Sequence, residues 1–137
     1  MQEGFKLEII SPEKVIFSDE VPMATIPSYE GDMTILKDHI SIITFLRPGI
    51  IKTKKNDGNS ENFFVQDGTI EFFNNKLVIL SASAINIKNV TKDFLQNLNE
   101  ESQNKLQQKE ISDYDRYMLN HKIDTIRYYI NLVTFNI

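Results

Sequence analysis

The sequence contains no cysteine, and its two histidines, His39 and His121, lie far apart in the chain. The lack of cysteine excludes disulfides, thiolate nucleophiles and cysteine-based zinc sites. With so few imidazoles the ligand inventory does not favour a metal site, and we predict none. No apolar run approaches the roughly 18 residues of a membrane span. A strand-like pattern begins at Phe5, so we expect no signal or transit peptide in the chain as given.

The sequence also lacks an excess of basic residues, with 15 Lys and Arg against 19 Asp and Glu and a net charge of -4. Binding to nucleic acid through phosphate neutralisation needs such an excess, so no nucleic-acid partner is expected. We find no nucleophile-plus-base arrangement, no phosphate-cradling glycine loop and no metal-ligand spacing. The sequence therefore predicts a protein that is not an enzyme and that uses no cofactor.

Short apolar segments fill the chain up to about Ile87. Phe5, Leu7 and Ile9 alternate with charged residues, which is the period-two pattern of a half-buried strand. A second strand from Val15 is expected to end at the polar triplet Ser18-Asp19-Glu20. About ten such segments, separated by turn compositions at roughly 8–12-residue spacing, predict an antiparallel β-sandwich or barrel.

The pattern changes near Asn89, because no glycine and no proline follow Thr91. Thr91 and Ser112 are suited to cap two successive helices, which we expect to fold back as an antiparallel hairpin. The apolar face of the second helix recurs at spacings of four and three residues: Leu119, Ile123, Ile126, Ile130 and Val133. We predict a sandwich domain over residues 1–88 and a two-helix domain over residues 89–137. Since the first helix has only a thin apolar stripe, the hairpin should depend on docking, which suits a conformational switch.

Three groups of polar residues invite alternative interpretations. Glu30 and Asp32 flank Gly31 in a turn, where they form either a catalytic carboxylate pair or a solvated acidic loop. His39 is a general base, a metal ligand or a hydrogen-bonded histidine near an interface. Asp113 and Asp115 either chelate a cation or complement a helix N-terminus. Composition favours the solvated loop, the hydrogen-bonded histidine and the helix-terminus interpretations.

The order of several motifs resembles the epsilon subunit of F-type ATP synthases. The resemblance runs from about Phe5 to Val133, and it is carried by the Glu30-Gly31-Asp32 loop, His39, Leu46-Arg47-Pro48-Gly49, Asp67-Gly68, Ser81-Ala82-Ser83-Ala84 and the two-helix tail. It implies a ten-stranded sandwich followed by a helical hairpin. It also implies a non-catalytic rotor subunit that binds the gamma subunit and the c-ring, peripheral to the cytoplasmic face of a bacterial inner membrane.

The resemblance further implies roles for particular residues. Glu30, Asp32 and His39 match positions that face the c-ring. The hairpin is expected to contact the alpha and beta catalytic subunits transiently and to hinder ATP hydrolysis, with its charged residues as candidates: Asp113, Arg116, Lys122 and Arg127.

The sequence departs from the family pattern at several places, among them Gln66-Asp67-Gly68, which replaces a Ser-Gly-Gly-like turn. Lys37-Asp38 stands where relatives commonly carry Pro-Gly, and Thr34 stands where glycine is common. The segment Val90–Leu95 lacks the arginine and alanine of a nucleotide-binding motif found in some relatives, so no nucleotide site is predicted. A free-standing sandwich that binds a small molecule beneath a helical lid is the alternative function.

Overall fold

The computed structural model describes residues 4–135, with side chains through residue 131. The chain forms two compact units that divide between Ile87 and Lys88. The first unit is built of strands and the second of two helices, as predicted.

The first unit holds ten strands joined by short turns. Their bounds are β1 Phe5–Ile10, β2 Val15–Val21, β3 Met23–Ser28, β4 Gly31–Leu36, β5 Ile42–Leu46, β6 Gly49–Lys54, β7 Ser60–Val65, β8 Gly68–Phe73, β9 Lys76–Ser81 and β10 Ala84–Asn86. They form one continuous sheet in the order β10-β7-β6-β3-β5-β8-β9-β1-β2, with β4 paired to β3 outside this path. The sheet curls into a nearly closed sandwich, which confirms the predicted fold class.

One pairing differs from the expected all-antiparallel arrangement. β1 runs parallel to β9, with Leu7 opposite Leu77 and Ile9 opposite Ile79, so the sheet is mixed. The alternation of apolar residues predicts that a segment is a strand, but it does not indicate whether the neighbouring strand runs parallel or antiparallel. Long-range packing decides that direction.

The second strand is also longer than predicted. It does not end at Ser18-Asp19-Glu20 but continues to Val21, because these residues pair with β1 through their backbone, with Asp19 opposite Leu7. Their side chains are exposed, so the polar triplet is the solvent-facing part of a regular ladder and not a break. The bend that ends β2 lies at Pro22, whose ring leaves no amide hydrogen for a ladder.

The core lies between the inner faces of the curled sheet. It is made of apolar side chains contributed by every strand: Phe5, Leu7, Ile9, Phe17, Val21, Ala24, Ile26, Ile35, Leu46, Ile51, Phe63, Val65, Ile70, Phe72, Leu77, Ile79 and Ala84. Phe5 and Phe72 meet edge to face at 5.7 Å, and Phe17 and Phe63 do so at 5.3 Å. Contacts of this kind make a protein interior stiff, because close-packed side chains leave little room to move.

The second unit consists of α1 (Lys92–Leu106) and α2 (Asp113–Phe135), which pack against each other. A 3₁₀ turn at Ile87–Asn89 precedes them. Both predicted caps are present. The Thr91 hydroxyl oxygen accepts a hydrogen bond from the Phe94 amide at 3.1 Å, and the Ser112 hydroxyl oxygen accepts one from the Asp115 amide at 3.0 Å.

The buried side chains of the two helices are few. They comprise the apolar residues Leu95, Leu98, Met118, Ile123 and Ile126, together with Ser102 and Lys122. Leu119 and Ile130 are half-buried, and the side chain of Val133 lies outside the described residues. Polar groups also occur among the buried ones, since the Ser102 hydroxyl donates to the Leu98 carbonyl at 2.7 Å and the Asn99 Oδ1 atom has no hydrogen-bond partner within the described residues. The hairpin therefore has little apolar area with which to hold itself together.

Gly68 begins β8 at a point where two backbones touch. A Cβ atom at this position would lie 1.8 Å from the Leu80 carbonyl oxygen and 2.8 Å from the Leu80 carbonyl carbon. The register pairs Gly68 with Ser81 on one side and with Leu46 on the other. The absence of a side chain therefore allows β8 to lie between β5 and β9.

We predict that Gly68→Ala destabilises the sandwich by about 3 kcal/mol or more, because backbone atoms must move to admit the methyl group. Gly58→Ala is the matched control. Gly58 has φ +89 but open space around it, so only backbone strain of about 1–2 kcal/mol is expected there. Urea unfolding followed by the amide NMR signals of β8 and β9 measures both variants, and a smaller loss for Gly68→Ala than for Gly58→Ala would contradict the packing argument.

Candidate functional site

The turn between β3 and β4 presents two carboxylates at one end of the sandwich. Ser28 pairs with Gly31, and Tyr29 and Glu30 form the turn between them. Gly31 has φ +136, which side-chain-bearing residues rarely adopt, and nothing lies within 4 Å of the place where its Cβ would be. The Ser28 hydroxyl donates to the Gly31 carbonyl oxygen at 2.5 Å. The base of the turn is therefore fixed by the Ser28–Gly31 hydrogen bond, and its apex is exposed to solvent at Glu30.

Backbone hydrogen bonds fix this turn against the end of β5. The Tyr29 amide donates to the Phe45 carbonyl at 2.8 Å, and the Arg47 amide donates to the Pro27 carbonyl at 3.0 Å. The position of the acidic turn is therefore set by β5, and the turn does not behave as a free loop.

The two acidic side chains of the turn have different surroundings. The Asp32 Oδ1 atom lies 3.5 Å from a terminal guanidinium nitrogen of Arg47. The Glu30 carboxylate forms neither a hydrogen bond nor an ion pair with any other described residue. One carboxylate is consequently paired within the chain, and the other is available to a partner.

His39 lies at the opposite end of β4. The six residues of β4 span roughly 20 Å at about 3.3 Å per residue. The His39 ring is half-buried and meets Phe72 edge to face at 5.7 Å. Its Nδ1–H donates to the Ile40 carbonyl at 2.7 Å. The structure thus brings Glu30 and Asp32 together but does not bring His39 to them.

The turn before His39 is held by an interlocked pair of side chains. Asp38 has φ +65, the left-handed conformation that glycine adopts without strain. Its amide donates to the Asn75 Oδ1 atom at 2.7 Å, and the Asn75 side-chain amide donates to the Asp38 Oδ1 atom at 2.9 Å. These two hydrogen bonds offset the strain of a non-glycine residue at this position. The turn is thus held by side-chain hydrogen bonds around Lys37-Asp38, a pair that contains neither proline nor glycine.

An apolar patch covers the outer face of the sheet beside the acidic turn. Phe45, Thr69, Leu80 and Ile10 lie side by side across β5, β8, β9 and β1, and Ile43 lies two residues from Phe45 on the same face. Ile43 is 78% exposed and Phe45 is 58% exposed. We call Ile10, Ile43, Phe45 and Leu80 the outer apolar patch. Clustered exposed apolar residues of this kind mark interaction surfaces more often than single exposed ones.

A shallow groove of about 550 Å³ borders this patch. Its walls come from the turn after β1 and from the paired ends of β8 and β9: Ile10, Ser11, Pro12, Asp67, Gly68, Thr69, Leu80, Ser81 and Ala82. Pockets that hold small molecules bury most of the ligand surface. The groove lies open beside exposed Leu80, so its shape suits a protruding protein side chain better than an enclosed metabolite.

No sequence pattern described above predicts the outer apolar patch. A signal for it is present in β5, Ile-Ile-Thr-Phe-Leu, where apolar residues do not alternate with polar ones. Leu46 points to the core and is fully buried, whereas Ile43 and Phe45 point outward. A strand that is apolar on both faces indicates that a second surface is to be covered.

The charged residues of the hairpin are distributed over its exposed and buried sides. Asp113, Arg116 and Arg127 are exposed. Lys122 is only 8% exposed, so in this conformation its side chain is not on the surface. Burial, with a smaller contribution from the charge of Tyr128, raises the pKa of the Tyr129 phenol above its usual range.

Within residues 4–135, no group of three or more His, Asp or Glu side chains is arranged to hold a metal ion. Over the same residues, no helix combines the length and the apolar character that crossing a membrane requires.

Comparison with known proteins assigns this fold. The family described as ATP synthase, Delta/Epsilon chain, beta-sandwich domain matches residues 4–87. The class of protein is therefore that of the delta and epsilon chains, with the sandwich as its defining unit. The ATP synthase epsilon chain of Pelagibacter ubique is 44% identical over 128 residues, which cover 93% of this chain and 98% of that one. The epsilon chain of Mesorhizobium japonicum is 33% identical over 90 residues, 66% of this chain and 67% of its own. This chain belongs to the ATP synthase epsilon chain family, which confirms the resemblance drawn from the ordered motifs.

Solved structures show the same fold at lower identity. A chain of the mitochondrial ATP synthase of Euglena gracilis, in an assembly described as OSCP/F1/c-ring, superposes with a TM-score of 0.73 at 18% identity, covering 97% of this chain and 83% of that one. A chain from the central stalk and c-ring of the Tetrahymena thermophila enzyme gives a TM-score of 0.65 at 15% identity, covering 91% and 95%.

We predict that Asp38 and Asn75 stabilise the turn before His39 as a unit. Glycine fits the left-handed backbone at both positions, so Asp38→Gly and Asn75→Gly remove the side-chain hydrogen bonds without adding strain. A double-mutant cycle in urea should give a coupling free energy of about 1 kcal/mol. The His39 ring signals in NMR should shift in either single variant. Additivity within about 0.3 kcal/mol, with unchanged His39 signals, would show that the two side chains act independently.

Proposed function

We propose that this chain is a non-catalytic subunit of the central stalk of an F-type ATP synthase and links the gamma subunit to the c-ring. The proposal is supported by family membership and by the likeness to the Pelagibacter chain over almost all of its length. The single observation that carries it is the outer apolar patch, which lies beside an anchored acidic turn on a close-packed sandwich. Two adjacent surfaces of different chemistry suit a subunit held between two partners.

A rotor subunit must transmit torque, and this requires stiffness. The sandwich supplies it through one continuous sheet around a close-packed core. Lys76 adds an ion pair across the parallel strands, with its Nζ atom 3.0 Å from the Glu8 carboxylate. A force applied at the acidic turn would pass through the Tyr29–Phe45 backbone hydrogen bond to β5 and from there into the sheet.

The outer apolar patch is proposed as the docking surface for the gamma subunit. An aromatic side chain such as Phe45 contributes large contact area to an interface, and the neighbouring groove beside Leu80 can accept a side chain of the partner. Exposed apolar residues in the middle of a strand suit a permanent interface, because permanent interfaces are more hydrophobic than transient ones.

The acidic turn is proposed to face the c-ring through Glu30 and Asp32. His39 was predicted to contribute to the same contact. Because it lies at the far end of β4, a ring contact that includes it must extend along the whole strand. We further propose that the subunit lies at the cytoplasmic face of the bacterial inner membrane, attached to it through the complex.

The hairpin is proposed to act as a second domain, over residues 89–137, that regulates ATP hydrolysis. Exposed Asp113, Arg116 and Arg127 are available for transient contacts with the alpha and beta subunits, and buried Lys122 becomes available only if the helices rearrange. The small apolar interior of the hairpin and the unpaired Asn99 Oδ1 atom favour such a rearrangement. No catalytic or nucleotide-binding role is assigned to any residue of the chain.

We predict that Phe45→Asp lowers the affinity of the full chain for the gamma subunit by roughly 10- to 100-fold, since it places a charge in the centre of an apolar contact. Leu36→Asp is the matched control, because Leu36 is 53% exposed but lies on β4, away from the patch. Surface substitutions of this kind change folding stability by about 0.5 kcal/mol or less. Titration of each variant against purified gamma subunit tests the docking surface. Equal losses for both variants, or no loss for Phe45→Asp, would remove the patch from the interface.

We also predict that the hairpin changes its protection when the nucleotide state of the assembled complex changes. A regulatory element must have two states that differ in contacts. Hydrogen exchange of residues 91–131, measured in the complex with and without added nucleotide, should differ while the core strand β8 stays constant. High protection of the helices that is indifferent to nucleotide would argue for a fixed structural role.

A further inference from the structure

Two glycines of the chain directly follow an aspartate, in the pairs Asp57-Gly58 and Asp67-Gly68. In such a pair the backbone nitrogen of the glycine can attack the side-chain carboxyl carbon of the aspartate, because glycine has no side chain to obstruct the approach. The attack closes a five-membered succinimide ring, which water opens to aspartate or to isoaspartate. Sequence alone does not distinguish the two pairs, whereas their surroundings in the structure differ.

The first pair lies at the tip of the hairpin between β6 and β7. Residues 56–60 are all exposed, and nothing beyond its chain neighbours lies within 4 Å of the place where a Gly58 Cβ would be. The Gly58 amide donates to the Lys55 carbonyl at 3.0 Å, and the Lys55 amide donates to the Asn59 carbonyl at 2.8 Å. Because these hydrogen bonds are local to the turn, the backbone of the pair can rotate without opening the core of the sandwich.

The Asp57 carboxylate is folded back along the turn. Its Oδ1 atom accepts a hydrogen bond from the Asn59 backbone amide at 2.9 Å, and its Oδ2 atom accepts one from the Asn59 side-chain amide at 3.1 Å. Both oxygens are bound to the residue that follows Gly58, so the carboxyl carbon is held beside the intervening Gly58 peptide. The backbone amide on Oδ1 also stabilises the negative charge that develops there when a nitrogen adds to the carboxyl carbon.

The second pair is enclosed by backbone. Gly68 lies between β5 and β9, where a Cβ atom would be 1.8 Å from the Leu80 carbonyl oxygen. The Asp67 carbonyl accepts a hydrogen bond from the Ala82 amide at 3.0 Å. Ring closure requires the peptide between the two residues to rotate, and here that rotation requires β8 to separate from its neighbours.

We infer that Asp57 is a covalent modification site, at which the folded chain forms isoaspartate, and that Asp67 is protected. The Gly58 nitrogen bonds to the Asp57 Cγ atom, and the amide hydrogen leaves with the carboxyl hydroxyl group as water. A second water then adds to the ring carbonyl that came from the Asp57 backbone and breaks its bond to the nitrogen. The chain now runs through the side-chain carboxyl carbon, and the former backbone carbonyl is a free carboxylate. One water is lost and one is gained, so no further reactant is needed.

The modification adds one methylene to the backbone of the turn. The Gly58–Lys55 hydrogen bond belongs to a four-residue turn and does not survive this lengthening. Lys55 also contacts two other strands, since its Nζ atom lies 3.6 Å from the Asp19 carboxylate on β2 and 4.0 Å from the Glu61 carboxylate on β7. The new carboxylate is exposed, and it is the group that an isoaspartyl methyltransferase esterifies with S-adenosylmethionine. The modified turn therefore fits a repair enzyme of this class as its partner.

The test follows isoaspartate at the two pairs in the full chain, incubated at neutral pH either folded or in urea. Peptides from each sample are labelled with purified isoaspartyl methyltransferase and S-adenosylmethionine and are then assigned by mass spectrometry. In the folded chain Asp57 should convert at least about tenfold faster than Asp67, because β8 must open locally before the second ring can close. In urea the two rates should agree to within about twofold, since neither turn persists.

Two variants check the chemistry at the first pair. Asp57→Glu keeps the charge but would need a six-membered ring, so the label on this peptide should disappear. Gly58→Ala should slow the conversion, because its methyl group obstructs the attacking nitrogen. In the separated isoaspartyl form, the amide NMR signals of Lys55 and Asn59 should shift while that of Gly68 does not.

Equal conversion of Asp57 and Asp67 in the folded chain would overturn the inference, because the fold would then not distinguish the pairs. Conversion of Asp57 in urea but not in the folded chain would also overturn it, since the intact turn would then protect this residue. Label that persists in Asp57→Glu would place the reaction at another residue and would equally contradict the assignment.

Discussion

The structure depends on one strand whose two faces are both apolar. β5 packs Ile42 and Leu46 against the core, and it exposes Ile43 and Phe45 on the outer face. Within the sandwich only the inner face of this strand is buried and contributes hydrophobic stabilisation. Its outer face leaves apolar area exposed that a partner can bury. The same strand anchors the acidic turn by the hydrogen bond from Tyr29 to Phe45. The apolar patch and the acidic turn are therefore parts of one rigid element.

This arrangement explains how a small chain without a catalytic site can have a mechanical role. The contact proposed for the c-ring and the contact proposed for gamma are joined by the backbone hydrogen bonds between the acidic turn and the end of β5, and by the pairing of β5 with β8. Tight approaches such as Gly68 against Leu80 leave no freedom for the sheet to shear. The hairpin has the opposite character, with few buried apolar residues and polar groups among them. The chain thus combines a rigid unit with one that is suited to rearrangement.

Much of the fold follows from local patterns in the sequence. The strand alternation in β1 and the helix caps Thr91 and Ser112 could be predicted, because each depends on residues close together in the chain. The parallel pairing of β1 with β9 and the extension of β2 through Ser18–Glu20 could not, because both are decided by partners distant in sequence.

The same distinction applies to the candidate site. Glu30 and Asp32 were found as an exposed acidic turn, but the guanidinium that distinguishes them comes from Arg47, in a different turn. His39 lies beyond the end of β4, so it does not join Asp32 in the acidic turn. The left-handed Asp38 is explained by Asn75, a residue 37 positions away. Sequence patterns name the residue types, whereas the three-dimensional register determines which of them act together.

Side-chain oxidative footprinting of the wild-type chain, alone and in the assembled ATP synthase, tests directly whether the outer face of β5 is an interface. We expect Ile43 and Phe45 to be oxidised readily in the free chain and to become protected on assembly, while exposed Leu36 reacts in both. Equal oxidation of Phe45 and Ile43 in the free and the assembled chain would show that the outer face of β5 stays in solvent and is not an interface.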